Sequence, residues 1–153
     1  MSWWQRDPQR LQDERTLMVE KFPQFLLDEA HSDRCIHDWT IACKGQLSWH
    51  GELVTVSGNS YTVVLTYPLV YPGQEIKAYV TKPYIPSLSL GQHRYGDGHL
   101  CLYSNDHGGR GQGAGPGMTA VTYVGWTSAW LHALEIYRKR GRWPENNFFD
   151  RNG

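Results

Sequence analysis

The residue best suited to covalent chemistry is Cys101, which lies in the segment Gly98–Leu102. A deprotonated cysteine is a nucleophile that forms covalent intermediates with carbonyl compounds. An unperturbed thiol with a pKa of ~8.5 is only slightly ionised at neutral pH. His93, His99 and His107 are close enough in sequence to raise the thiolate fraction or to carry protons. Spacing alone leaves a second interpretation open, in which Cys101 is a small buried apolar side chain between two leucines.

The other two cysteines are weaker candidates. Cys43 alternates with Ile41, which predicts a side chain in the core. Cys35 has His31 and His37 nearby, but three loosely spaced ligands without a fourth do not form the usual zinc site. Three cysteines without a C-x-x-C pair also disfavour a disulfide framework. We therefore predict neither a metal nor another cofactor.

A glycine-rich run over residues 108–117 could be taken for a phosphate-binding loop. Pro116 stands where the third glycine of a G-x-G-x-x-G pattern would be, and no lysine follows as in a P-loop. We predict a flexible lid or a solvent loop instead. The sequence also lacks G-x-S-x-G and H-E-x-x-H, so serine hydrolases and zincins have no support.

Length and charge limit the class of protein further. The 153 residues predict one domain, with a core over about 8–144 and a tail over 145–153. The 15 basic residues balance 15 acidic ones, which argues against binding nucleic acid. The N-terminus lacks the apolar run of a signal peptide, and the longest apolar stretch, residues 61–71, is too short to span a membrane. We predict a soluble cytoplasmic protein that binds neither nucleic acid nor membrane.

Two helices and a sheet are predicted to position Cys101. Asp7 can cap a first helix that begins at Pro8 and stops near Lys21 or kinks there, because Pro23 removes a backbone donor. Residues 28–38 are polar and aperiodic, which predicts a loop. Strands are then predicted over Thr40–Lys44, Glu52–Val56, Tyr61–Tyr67 and Glu75–Thr81. Their short connections predict an antiparallel meander.

An irregular crossover and a last helix complete the predicted α+β architecture. Residues 83–118 contain the candidate cysteine and show no regular period, and a loop of this length is usually functional or mobile. The last helix is predicted over Thr119–Arg140 and ends at Gly141. Its apolar stripe is spaced by three or four residues, which is typical of a core face: Tyr123, Trp126, Trp130, Leu134 and Tyr137.

Four segments, in order, resemble the ubiquitin-conjugating enzymes, which carry ubiquitin-like proteins as thioesters. Tyr61–Pro72 resembles the third strand and Tyr-Pro turn of that family, and His93 resembles the first residue of its His-Pro-Asn motif. Gly98–Leu102 resembles its Gly-x-Ile-Cys-Leu active site. The helix that carries Trp126, together with Gly141-x-Trp143-Pro144, is similar to the C-terminal helix and Gly-x-Trp ending of the bacterial branch. The resemblance covers roughly residues 8–144 and implies the ubiquitin-conjugating-enzyme-like fold.

The resemblance implies acyl transfer through Cys101, which would lie in a shallow groove open to a flexible tail. A partner's C-terminal glycine would be carried as a thioester and passed to an amine, commonly a lysine. One bacterial branch belongs to cyclic-oligonucleotide anti-phage signalling (CBASS) systems and conjugates the C-terminus of a cGAS-like nucleotidyltransferase. The implied partner is therefore a cGAS-like nucleotidyltransferase or a ubiquitin-like protein, bound through its C-terminal tail.

One departure from the family concerns the oxyanion. In eukaryotic members the Asn of His-Pro-Asn is held to stabilise the oxyanion or to shape the loop, whereas here Arg94 and Tyr95 follow His93. We hypothesise that Asn105, His107 or a backbone N–H of the following loop replaces that donor.

Two other functions remain open at this stage. The protein could be a catalytically weak or inactive binding module of the same fold that grips the C-terminal tail of a ubiquitin-like protein or a nucleotidyltransferase. It could also be a thiol hydrolase in which Cys101 pairs with His99 or His93.

Overall fold

The computed structural model describes residues 1–29, 45–86, 93–102 and 118–144. The helices and strands of these residues, in chain order, are α1 (Trp3–Arg6), α2 (Pro8–Lys21), β1 (Leu26–Asp28), β2 (Ser48–Val54), β3 (Ser60–Thr66), β4 (Lys77–Lys82) and α3 (Ala120–Arg140). The strands form one antiparallel sheet in the order β1-β2-β3-β4. The predicted α+β class, with a helix before and a helix after a four-stranded meander, is confirmed.

The helix boundaries follow the capping signals in the sequence. The Asp7 side chain accepts a hydrogen bond from the Arg10 backbone N–H, and Pro8 fills the first position of α2. The predicted end of this helix at Lys21 is confirmed. α3 follows its N-cap Thr119 and ends at Gly141, whose φ of +79° gives the left-handed cap that glycine adopts easily. The short α1 was not predicted.

The sheet differs from the sequence prediction in its first strand. Three predicted strands are confirmed as β2, β3 and β4 with shifted ends, but the first strand is β1, at Leu26–Asp28. Asp28 therefore belongs to a strand and not to the predicted loop 28–38. Three residues are too few to show an alternating pattern, so β1 is defined by its pairing with β2. The predicted strand over residues 40–44 lies outside the described residues.

The core fills the space between the sheet and α3. Tyr123, Trp130 and Leu134 of the predicted stripe are buried, and Trp126 and Tyr137 pack at its margin. The core also includes Trp3 of α1.

Several predictions fall outside the described residues, namely the glycine-rich run 108–117, the tail 145–153, and Cys35, Cys43, His31 and His37. Within the described part of the chain, no cluster of acidic, histidine or cysteine side chains is arranged to hold a metal ion. Nor does any helix there combine the length and apolar character needed to cross a lipid bilayer.

Candidate active site

Cys101 closes a small hairpin, residues 93–101, that lies beside β4. The Cys101 backbone N–H donates to the His93 carbonyl at 3.0 Å. One residue earlier, the Leu100 N–H donates to the Ala78 carbonyl of β4 at 2.8 Å. The backbone of Cys101 is therefore held by the hairpin and, through Leu100, by the sheet.

The turn of this hairpin depends on a glycine. Gly98 has a φ of +94°, a left-handed conformation that side-chain-bearing residues rarely adopt. Its N–H donates to the Tyr95 carbonyl, and the Tyr95 N–H donates to the His99 carbonyl, both at 2.9 Å. These bonds fix the register, in which Arg94 bridges Leu100.

Burial alternates along the segment that contains the cysteine. Leu100 and Leu102 are each only 3% exposed and belong to the core, whereas Cys101 between them is half-buried. Side chains of an extended segment alternate between its two faces, so the Cys101 side chain lies on the face away from the core. This arrangement differs from the buried apolar position that spacing alone left open.

The hairpin register brings together Cys101 and His93, two of the predicted site residues. Residues directly opposite each other in an antiparallel pair lie on one face, with Cβ atoms about 4.5–5.5 Å apart. The face of Cys101 therefore also carries His93, Tyr95 and His99, because the Arg94–Leu100 pair occupies the other face. The other two predicted site residues, Asn105 and His107, lie outside the described residues.

His93 is fixed to α3 and to the segment that follows it. Its ring stacks on Trp143 with centroids 4.1 Å apart and planes 12° from parallel. Its carbonyl accepts a hydrogen bond from Trp130 Nε1 at 3.0 Å, in addition to the one from Cys101. Burial lowers the pKa of His93, so its imidazole is neutral at neutral pH.

A second cluster on the same hairpin surrounds Asp97, which the sequence analysis did not single out. Its carboxylate accepts hydrogen bonds from the His99 N–H at 3.0 Å, from Lys77 Nζ at 3.0 Å and from His99 Nδ1. Burial acts to raise the pKa of Asp97, but these donors outweigh it and lower the pKa to about 2. The Tyr95 ring stacks on His99 at a centroid distance of 4.2 Å. The signal that could have identified this cluster is the Asp-Gly pair, which is typical of a hairpin turn.

Most of the chain matches the model of a known family. The family model described as Type II CBASS E2 protein matches residues 28–150, a range that includes β2, β3, β4, the hairpin and α3. The chain belongs to the Type II CBASS E2 family. This assignment confirms the predicted resemblance to the E2-like proteins of CBASS operons, and with it the context of anti-phage defence. A search of curated proteins gave no match.

Arg94, the residue after His93, helps to hold the hairpin in this CBASS E2 protein. Arg94 Nη2 donates to the Ile85 carbonyl at 2.8 Å, which ties the first strand of the hairpin to the chain just beyond β4. Arg94 lies on the face opposite Cys101, so the position after His93 supports the hairpin and does not line the cysteine's face.

Proposed function

We propose that this CBASS E2 protein is a transferase that carries the C-terminal glycine of a partner protein as a thioester on Cys101 and passes it to an amine. The observation that carries the proposal is the placement of Cys101, a half-buried thiol between two buried leucines on a hairpin bonded to β4. A nucleophile that must accept a flexible tail needs a reachable side chain on a fixed backbone. Membership of an E2-like family supports the same chemistry.

The first step loads the cysteine. Cys101 Sγ attacks the carbonyl carbon of an activated acyl donor, the partner's C-terminal glycine as an acyl adenylate or a thioester. The C–S bond forms, and AMP or the donor's thiolate leaves with its electron pair. The proton of the Cys101 thiol passes to His93. The neutral imidazole of His93 suits this role, because it can accept a proton at neutral pH.

The second step discharges the thioester. The nitrogen of an acceptor amine attacks the same carbonyl carbon, the C–N bond forms and the C–S bond breaks. Cys101 leaves as a thiolate, which takes up the proton that the amine nitrogen loses. Both steps pass through a tetrahedral oxyanion that needs hydrogen-bond donors, each worth about 10²–10³ in rate. We assign this role to Asn105 or His107, the predicted site residues that follow Cys101 in the sequence.

The partner we propose is the cGAS-like nucleotidyltransferase of the same operon, recognised through its C-terminal tail. Family membership implies that the protein works with the products of a CBASS operon. A ubiquitin-like protein that ends in glycine would have the same chemistry at its C-terminus and is the other donor to test.

The test uses a fluorescent peptide thioester with the C-terminal sequence of the nucleotidyltransferase encoded in the same operon. The full-length protein should form an adduct that reductant removes. Cys101→Ala should abolish the adduct, and Cys101→Ser should convert it into an ester that resists reductant. Cys35→Ser and Cys43→Ser are matched controls and should still form the adduct. An adduct that persists in Cys101→Ala would contradict the proposal.

The same assay separates the alternatives. Fluorescence anisotropy measures binding of the tail. Binding without any adduct would favour the binding module, and the presence of Arg94 and Tyr95 where the family has Pro and Asn fits that alternative. Release of free peptide acid without an adduct would favour a thiol hydrolase.

A further inference from the structure

We infer that exposed cations at the end of α3 bind acidic side chains in the partner's tail, upstream of the glycine that Cys101 takes up. These cations, Lys139, Arg140 and Arg142, form the basic run. The inference rests on the proposed function, because it concerns the tail that is loaded onto Cys101. It adds the chemical class of tail that the site selects.

The charge of the chain is concentrated at this place. Its 15 basic residues balance 15 acidic ones, yet four of the basic residues fall within the five positions 138–142. The three residues of the basic run are exposed, and none of them forms an ion pair with a carboxylate of the described residues. A small positive area on a neutral protein suits a short acidic segment, whereas a long polyanion requires a broader basic surface.

The fourth cation, Arg138, is bound to the body of the protein. Arg138 Nη1 donates to the Tyr61 hydroxyl at 3.4 Å, and that hydroxyl donates to Glu135 Oε2 at 3.0 Å. Glu135 is the one acidic residue of α3, and it is only 8% exposed. This buried carboxylate therefore relates to Arg138 and leaves the three exposed cations as a surface of their own.

The helix end explains only part of the basic run. Cations in the last turn of a helix are favourable, because the helix C-terminus has a partial negative charge. Lys139 and Arg140 fit that explanation. Arg142 does not, because it follows the left-handed cap Gly141 and lies outside the helix.

The basic run lies next to the hairpin that holds the cysteine. Arg142 precedes Trp143, whose ring stacks on His93 with centroids 4.1 Å apart. The His93 carbonyl in turn accepts the Cys101 N–H at 3.0 Å. An extended peptide advances about 3.3 Å per residue. A tail bound to Cys101 through its glycine and running past the stacked rings therefore brings residues a few positions upstream level with the cations.

Three fluorescent peptide thioesters test the inference on the full-length protein. They share one sequence and a C-terminal glycine, and they differ at three positions beginning about four residues upstream, which hold glutamate, glutamine or lysine. The rate of reductant-sensitive adduct formation gives kcat/KM for each probe. An exposed ion pair contributes up to about 5-fold, so the wild type should load the glutamate probe about 10-fold more efficiently than the glutamine probe. The lysine probe should load least efficiently.

Charge variants of the basic run should change this preference. Arg140→Gln with Arg142→Gln should reduce the preference for glutamate over glutamine to about 2–3-fold, through a higher KM. Arg140→Glu with Arg142→Glu should load the lysine probe faster than the wild type does. Arg6→Gln with Arg15→Gln is the matched control, because it removes two exposed arginines of α1 and α2, and it should keep the full preference.

The preference is a ratio of two rates measured on one protein, so partial unfolding of a variant lowers both rates and leaves the ratio unchanged. Salt provides a second readout. At about 1 M salt the screening length is about 3 Å, and the wild type should then load the glutamate and glutamine probes almost equally.

The outcomes separate this inference from the proposed function. Equal loading of the three probes by the wild type would overturn the inference, as would a full preference in Arg140→Gln with Arg142→Gln. Equal loading together with binding of a fluorescent single-stranded oligonucleotide that this variant loses would also overturn it, and would assign the basic run to nucleic acid. In all these cases the adduct has formed, so the proposed function stands. Failure of the wild type to load any probe would overturn both.

Discussion

At the scale of single residues, the properties of His93 depend on the ring on which it stacks. Trp143 covers the imidazole at 4.1 Å and in turn packs against Trp130, with centroids 5.4 Å apart. Burial in this stack lowers the pKa of His93, because the charged imidazolium loses its water. The folded state favours the neutral ring. The contribution of His93 to the free energy of unfolding is therefore fully present above pH ~6.5, and it is lost as the pH falls through the lowered pKa.

The pH dependence of loading tests this arrangement. If His93 accepts the thiol proton, the loading rate should hold as the pH falls through ~6.5 and should decline only at lower pH, where His93 becomes protonated. Trp143→Ala exposes the ring and raises its pKa toward the ordinary value, so the acid limb of the profile should move to higher pH. Trp126→Ala, which removes a ring packed against Tyr123, should leave the limb in place. Coinciding profiles for wild type and Trp143→Ala would show that the stack does not set the ionisation of the base.

At the scale of elements, the hairpin 93–101 depends on its turn, which Gly98 makes possible. One bridge pair joins its two strands, a backbone bond and the Lys77–Asp97 pair join it to β4, and Trp130 of α3 donates to the His93 carbonyl. The turn carries both Asp97 and His99, so an error in its conformation would displace this hydrogen-bonded pair as well as Cys101.

The two glycines of the turn make a matched pair of substitutions. Gly98→Ala forces a residue with a Cβ into the left-handed region and should reduce the free energy of unfolding by about 1–2 kcal/mol. Gly96 has no positive φ, and a Cβ added there meets no atom within 4 Å. Gly96→Ala should therefore stay within about 0.5 kcal/mol of the wild type. Urea denaturation checks both, and equal stability of the two variants would show that the turn does not need a glycine at position 98.

The elements also show what the sequence could and could not predict. α2 begins at an Asp cap and a proline, α3 has a periodic apolar stripe and a glycine cap, and β3 is rich in β-branched and aromatic residues, so local signals located them. β1 is three residues long and depends on its partner β2. The hairpin 93–101 depends on a carbonyl of β4, a contact between segments far apart in the sequence.

The candidate site likewise contains residues that the sequence could select and contacts that it could not predict. Spacing alone left Cys101 open as a buried apolar side chain, and the resemblance of four segments in order to the ubiquitin-conjugating enzymes selected it, together with His93. The pairing of Asp97 with Lys77 joins a turn to a strand 20 positions earlier, so no local pattern could indicate it. The stack of His93 on Trp143 likewise requires the hairpin and the end of α3 to meet.

At the scale of the whole molecule, a buried carboxylate joins three parts of the fold. Glu14 of α2 is 2% exposed and accepts hydrogen bonds from the Tyr67 hydroxyl at 2.7 Å and the Tyr71 hydroxyl at 2.9 Å. It also accepts the Ala120 N–H, at the start of α3, at 2.9 Å. Burial and the charge of Glu14 raise the pKa values of both tyrosines, so they remain donors. A negative charge at a helix N-terminus is favourable, and here it fixes where α3 begins.

The anchoring role of Glu14 leads to a prediction that links stability to the site. Glu14→Gln keeps the size of the side chain but turns an amide N–H₂ toward groups that are themselves donors. A buried donor without an acceptor costs about 1–3 kcal/mol, so we expect at least that loss in the free energy of unfolding. Glu20→Gln makes the same change at an exposed position of the same helix and should stay within about 0.5 kcal/mol of the wild type.

Trp130 of α3 donates a hydrogen bond to the His93 carbonyl, so loosening the start of α3 should also loosen the hairpin. Glu14→Gln should therefore expose Cys101 more often and raise its rate of alkylation by iodoacetamide relative to Glu20→Gln. Urea denaturation and the alkylation rate together check the prediction. Equal values of both in the two variants would mean that α3 is positioned by its packing on the sheet, without the carboxylate of Glu14.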